Sequence, residues 1–352
     1  MRWLYRARAV VRWWSWWDHI LPPVLWIALL GFLYEPRSLA LGSATFGWFC
    51  LSFVGIAGFG FLLNDIFDIE VDAQAGKSNA AASLRPPVRW ALIACLLTAG
   101  IIPWLFLPRN VFNLSGLSVQ VLLLVIYAAP PLRLKDRGFA GAMADALYGH
   151  VVPAWIAAFT FMSPSRIIHH WLLWSFAAAW LMAHGLRNIL LHQLDDRHAD
   201  RFGGASTFIA GHDPARIYRF ISSYLSPAEV LLLIAFAIGL LHEVPAILPL
   251  LAIYLVLDWL GSQRHSAGSK KAQRYRRRYR MNDFRARWLP LMALVQLTLV
   301  QWHFIIWLIC YPVIFPQAVP AITTRIDRAI RFAKQRLTRI SQPSIIHARP
   351  EP

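Results

Sequence analysis

The sequence predicts an all-α fold, a polytopic membrane bundle of about nine transmembrane helices, and three observations carry that prediction. Hydrophobic residues make up 57% of the 352 positions. They fall in runs long enough to cross a bilayer, and short polar loops with Pro and Gly separate the runs. No soluble core needs that many apolar segments.

Taken in order, residues 1–18 mix Arg with Trp and are expected to lie in the membrane interface, with the indoles at headgroup level. Spanning helices are expected near 19–34, 43–66, 88–107, 111–129, 139–162, 171–194, 217–241, 244–262 and 288–316. Residues 19–316 thus form the membrane domain, in two halves at about 19–138 and 139–316, and residues 317–352 form a basic tail. Within that tail Ile326, Ile330, Ala333, Leu337 and Ile340 recur at helical spacing, as an amphipathic surface helix would have them.

A net charge of +17 raises the question of nucleic acid, and the positions of the charges answer it. Arg2, Arg6, Arg8 and Arg12, then Lys77, Arg85 and Arg89, then Arg133, Lys135 and Arg137 fall in alternate loops on one side, as do the cations of 197–219 and 264–287. The opposite loops hold Arg37, Arg109 and Arg166, so the charge is a topology signal that puts the N-terminus in the cytoplasm, with anionic lipid rather than nucleic acid as partner. Nine spans would place the chain ends on opposite sides. The basic tail sits awkwardly there: either late charges are tolerated once eight helices have fixed the topology, or one of the nine spans is misassigned. Cys50, Cys95 and Cys310 lie in apolar segments at unrelated spacings, which points to neither a disulfide framework nor a zinc site.

The chemistry gathers at the end of the second apolar run, where residues 64–72 read NDIFDIEVD. Asn64, Asp68 and Asp72 are spaced by four and stack on one helical face. Carboxylates one turn apart with no lysine between them repel, and a divalent cation relieves the repulsion. An oxygen-only set favours Mg²⁺ over zinc. A second copy follows at 192–200, HQLDDRHAD, in which Asp196 and Asp200 lie 128 positions after Asp68 and Asp72. Each copy is followed by a glycine, Gly76 or Gly204, and a Pro-x-Arg helix start, so the chain contains an internal repeat. Of the 18 acidic residues, Asp65, Asp68, Glu70, Asp72, Asp195, Asp196 and Asp200 all fall in these two stretches. Two acidic faces with basic loops between them suit a diphosphate held by two Mg²⁺ ions and drawn off an allylic carbon, with an apolar cavity to keep the cation from water.

Asn64-Asp65-x-x-Asp68-x-x-x-Asp72, the loop YAAPPLRLK from Tyr127 to Lys135, and Asp196-x-x-x-Asp200 resemble the signature set of the UbiA-type intramembrane prenyltransferases, over roughly residues 19–316. The resemblance implies a nine-helix bundle around a central cavity, a prenyl diphosphate donor bound through Mg²⁺, and transfer to an aromatic or other lipophilic acceptor. It further implies that Asn64, Asp68 and Asp72 ligate one Mg²⁺ and Asp196 and Asp200 the second. Lys77, Arg133 and Lys135 match basic positions that would neutralise the leaving diphosphate, and Tyr127 would face the cation. Two departures stand out: His192 and Gln193 replace a further Asn or Asp, and the usual Asn-Arg-Pro is spread into Lys77-Ser78-Asn79 and Arg85-Pro86. The implied site is a bacterial inner membrane with the cavity open to the cytoplasm.

Other polar residues read more plainly. Asp145 and His150 have two readings, contact with the acceptor or, more simply, a polar pair satisfied between helices; His184 and Asp258 are expected as structural, and Glu70 and Asp195 as solvated neighbours. An ion-coupled transporter is the non-enzymatic alternative, but its acids would lie near the bilayer midplane on broken helices, and these sit at helix ends.

Overall fold

In a computed structural model of the chain, residues 8–202, 207–263 and 280–341 are described, the side chains of 198–202, 261–263, 280 and 335–341 excepted. Among the described residues the regular elements are helical, and one isolated bridge joins Gly138 to Thr207. The principal helices are α1 (Leu21–Tyr34), α2 (Leu39–Gln74), α3 (Pro86–Ile101), α4 (Val111–Ala128), α5 (Phe139–Ala146), α6 (Val152–Phe161) and α7 (Trp171–Phe202). They continue with α8 (Pro214–Phe220), α9 (Ser226–Gly239), α10 (Ile247–Gln263), α11 (Leu289–Val300), α12 (Ile305–Ile314) and α13 (Ala318–Ser341). Turns of π-helix, Leu147–Val151 and Ile221–Leu225, join α5 to α6 and α8 to α9, and a third, Phe284–Trp288, leads into α11.

Among the described residues four helices are long and apolar enough to cross a membrane, Leu39–Gln74, Pro86–Leu105, Val111–Ala128 and Pro214–Gly239, and a pair bent by 80° makes a fifth if counted as one span. α1 is different. Its 14 residues are apolar on every side and 12 of them are buried, so it forms the centre of the bundle rather than a lipid-facing wall. Trp26 packs edge-on against both Trp180 and Phe236 there. Pro22 and Pro23 occupy its first turn, where the missing N–H groups have no helical partner to lose.

The segment expected as one span at 288–316 is a hairpin. α11 runs to the end of the bundle opposite the aspartates, where Gln301 Nε2 donates to the Phe32 carbonyl at 3.2 Å. The chain turns at Trp302–Phe304, and α12 returns to where Trp17 Nε1 donates to the Ile314 carbonyl at 2.9 Å. α13 therefore starts on the aspartate side and packs along α10, with Arg325 at 2.5 Å from Asp258 and 2.7 Å from Asp283. Arg12 and the start of α13 thus lie on the same side of the bundle, whereas nine single crossings would have put them on opposite sides; the chain ends themselves fall outside the described residues. The reason is local: Gln301, with φ −134° and ψ 85°, leaves the helical region, which hydropathy does not register.

The N-terminal stretch also departs from an interfacial row of indoles. Trp16 is fully buried against Phe53, while Trp14 is exposed. Arg12 reaches Asp65 at 2.6 Å and pins the stretch to α2.

The repeat is visible in the backbone. Gln74 and Phe202 end α2 and α7, Ala80 and Phe208 begin short 3₁₀ turns, and Pro86 and Pro214 begin α3 and α8, each pair 128 positions apart. Both long helices deliver their acidic stretch to the same end of the bundle.

Candidate active site between the two aspartate helices

α2 stops where it does because Gly76 adopts φ 67°, a conformation open to glycine and costly for other residues. The chain then folds back, and the Lys77 N–H donates to the Asp72 carbonyl at 2.8 Å. Asn79 caps the following 3₁₀ turn through Oδ1, while its Nδ2 donates to Asp72 Oδ2 at 2.9 Å and to the Asp65 carbonyl at 2.8 Å. Asp72 is thereby held in one orientation. Sequence reading passed over Asn79 as a displaced motif residue; its signal was an Asn placed to cap a turn just after a carboxylate.

One turn back, Asn64 Nδ2 donates to Asp68 Oδ2 at 2.9 Å. Two cations from the loop after α4 close on the same group. Lys135 Nζ lies 2.8 Å from Asn64 Oδ1 and bonds Asp68 Oδ1, which also accepts from Arg133 at 2.9 Å. Arg133 has φ 39° and is fixed there by further bonds to the Phe67 carbonyl at 3.0 Å and to Asp136 at 2.6 Å. A non-glycine residue in that region persists only where its surroundings hold it. Tyr127 lines the same space, its ring 5.0 Å from that of Tyr148, whose hydroxyl donates to Asp145 at 2.6 Å.

From the second copy, Asp196 accepts Lys77 at 3.5 Å and has His192 at 3.8 Å. Lys77 thus links the two motifs directly. Asp200 lies in the last turn of α7, and its side chain is outside the described residues, as is Gly204. Asp65 turns away from the shared face to Arg12 and is 1% exposed, and Glu70 and Asp195 are exposed.

Asn64, Asp68, Asp72, Lys77, Tyr127, Arg133, Lys135 and Asp196 all line one cavity of about 1040 Å³. Its inner part has two kinds of wall. Phe49, Phe53, Ile56, Trp104, Leu117 and Ile156 make one side apolar. His150, His184, Asn188 and Arg285 make the other polar. The expected Asp145–His150 pair does not form: Asp145 is taken by Tyr148, and His150 Nδ1 is buried with no hydrogen-bond partner among the described residues. His184 Nδ1 lies 2.6 Å from Glu229 Oε1, and Arg187 holds both Glu229 oxygens at 2.5 and 3.1 Å. Sequence reading missed Arg187 and Glu229, although a charge inside an apolar run is itself a signal. At the mouth, Asp258 and Arg325 join the lining.

The donor set suits a hard divalent cation. Asn64, Asp68, Asp72 and Asp196 offer oxygen, and the ammonium and guanidinium groups on Asp68 mark a place where positive charge is stabilised. No cluster of three His, Cys, Asp or Glu able to hold a metal occurs among the described residues. Mg²⁺ asks for less than that, since one or two carboxylates with substrate phosphate and water complete its shell.

Comparison with known proteins agrees with this geometry. Residues 21–284 match the UbiA prenyltransferase family. A lycopene elongase/hydratase of Haloarcula japonica is 28% identical over 202 residues, covering 56% of this chain and 63% of that protein. One from Corynebacterium glutamicum is 28% identical over 150 residues, covering 41% and 50%. The chain therefore spans only about half to two thirds of those relatives. A UbiA homolog structure from Archaeoglobus fulgidus bound to GPP and Mg²⁺ superposes with TM-score 0.56 at 15% identity, covering 83% of this chain and 99% of that one. The same homolog with DMAPP and Mg²⁺ gives 0.53 at 14% identity, covering 83% and 98%. At such identity the likeness speaks for the fold.

Proposed function

The chain belongs to the UbiA prenyltransferase family, and from that premise we propose that it is an integral-membrane enzyme that transfers a prenyl group from a prenyl diphosphate to an aromatic or other lipophilic acceptor. The observation that carries this reading is the convergence of both aspartate motifs and three cationic side chains on one cavity with an apolar inner wall.

The donor's diphosphate fits the outer part. Lys77, Arg133 and Lys135, now held by Asp196 and Asp68, are placed to exchange those carboxylates for phosphate oxygens. Asn64, Asp68 and Asp72 on one helix and Asp196 and Asp200 on the other would hold Mg²⁺, which supplies positive charge against the leaving group. Asn79 fixes the Asp72 carboxylate, so the acceptor face is oriented before substrate arrives. As the carbon–oxygen bond breaks, negative charge gathers on the diphosphate beside the three cations. The allylic carbon then lies toward Phe49, Phe53 and Ile56, which exclude water from it.

The aspartate end faces the cytoplasm in this reading, because the returning α13 puts Arg325 and Arg328 on the same side as the other basic loops. That arrangement suits a bacterial inner membrane, with anionic lipid against the basic face. The test is incubation of the purified protein with prenyl diphosphates of increasing length and a panel of lipophilic acceptors, products being read by mass. Activity should vanish with chelator and return with Mg²⁺ but not with Zn²⁺. Full turnover in excess chelator would sink the mechanism.

A further inference from the structure

Helix α13 carries an apolar strip that the bundle does not cover. Ala318 and Ala329 are buried, Ile322 packs against the core, and Arg325 bridges Asp258 and Asp283 with its guanidinium 4.4 Å from the centre of the Tyr254 ring. These four residues face the bundle. Roughly a quarter turn away, Val319, Ile326, Ile330 and Ala333 share a second strip, and all four are exposed. Further round, Asp327, Arg331 and Lys334 make a polar edge, on which Arg331 donates to Asp327 at 2.9 Å. The helix goes on to Arg336 and Arg339.

Its direction fits a surface rather than a crossing. α12 runs along the bundle to the aspartate end, and the chain bends by 80° before α13. With α12 along the membrane normal, α13 lies nearly in the membrane plane. Arg325, Asp327, Arg328, Arg331 and Lys334 would be costly in hydrocarbon, so the bent pair is not two halves of one span. The N-terminal stretch meets the same corner. The Trp17 ring lies 5.5 Å from that of Phe315, and three residues earlier Trp14 is exposed with Arg8 5.5 Å from its ring. An exposed indole beside a cation marks headgroup level.

We propose that α13 is an in-plane docking helix for the anionic phospholipid of the aspartate-side leaflet. Val319, Ile326, Ile330 and Ala333 enter the acyl boundary, Arg331 and Lys334 reach lipid phosphates, and Arg325 anchors the helix to α10. Arg325 and Arg328 line the cavity, so the docked helix is one lip of its mouth. A second copy is the poorer occupant: strips paired about a twofold axis would bring the cations flanking each strip together. The inference rests on the membrane orientation proposed for the chain and is independent of prenyl transfer, which turnover with and without chelator tests separately.

The test is amide hydrogen exchange across 318–334 in the full chain, held in nanodiscs of phosphatidylcholine alone or of an equal mixture with phosphatidylglycerol. Exchange should be slower in the mixed discs by on the order of 10-fold, as expected for two cations near an anionic surface. The difference should fade in about 1 M salt, where screening is nearly complete. Arg331→Gln with Lys334→Gln should abolish the dependence on lipid charge, and Ile326→Asn with Ile330→Asn should speed exchange in both kinds of disc. Equal exchange of the wild type in the two lipids overturns the proposal, as does a lipid-charge effect that survives loss of both cations. Slow exchange in both lipids, in discs that hold two copies of the chain, would give the strip to a second copy and overturn it as well.

Discussion

α2 with α3 and α7 with α9 are two versions of one arrangement, and they are held together by opposite means. In the first, Gly55 meets Gly100 so closely that a Cβ on Gly55 would stand 2.3 Å from the Gly100 nitrogen, and Ser52 Oγ donates to the Gly100 carbonyl at 2.6 Å. Without a hydrophobic drive between helices in lipid, close backbone approach of this kind is what joins them. In the second, the residues 128 positions on from Ile56, Phe59 and Ile101 are His184, Arg187 and Glu229, which form a buried ionic cluster. Gly60 and Asn64 likewise correspond to Asn188 and His192. The acidic ends stayed alike while the middles diverged, one toward an apolar wall and the other toward a polar one.

The largest effect is expected where the copies are alike. Asp68→Asn and Asp196→Asn should each lower turnover by about 10³-fold, and the double variant should be little worse, because groups acting as a unit are not additive. Multiplying losses would show the two motifs acting apart. Their stabilities should differ: Asp68→Asn leaves Lys135 and Arg133 facing one another, at a cost of roughly 1–3 kcal/mol, whereas the more exposed Asp196→Asn should be nearly neutral.

The ionic middle of the second copy comes next. Glu229→Ala should cost about 3–5 kcal/mol by stranding Arg187. The joint exchange His184→Ile, Arg187→Phe and Glu229→Ile, which installs the first copy's residues, should cost less than that single change. Equal losses in urea or heat would mean that charge balance does not hold the cluster. On the other side, Gly55→Ala should destabilise by about 1–3 kcal/mol through overpacking, measured by the same unfolding. Smallest of all, Lys77→Ala should leave stability within about 1 kcal/mol, since the pair with Asp196 is half exposed, while raising the KM for donor. An unchanged KM would reduce Lys77 to a topology charge.

The helical membrane class, the acidic faces and the repeat were legible because they rest on composition and on spacing, which a chain carries without folding. Asn64, Asp68 and Asp72 had to share a face once α2 formed, and a constant offset of 128 had to bring Asp196 to the same end. Three things became visible only in the folded chain. The break at Gln301 turned one apolar run into a hairpin and carried α13 back to the aspartate side, an outcome of backbone torsion that hydropathy averages away. Arg12 took Asp65 out of the acidic face, and Asn79 took charge of Asp72, through contacts between segments that no local period links. Arg285 lines the cavity from a π turn, and which helix that turn faces depends on which segments become neighbours in space.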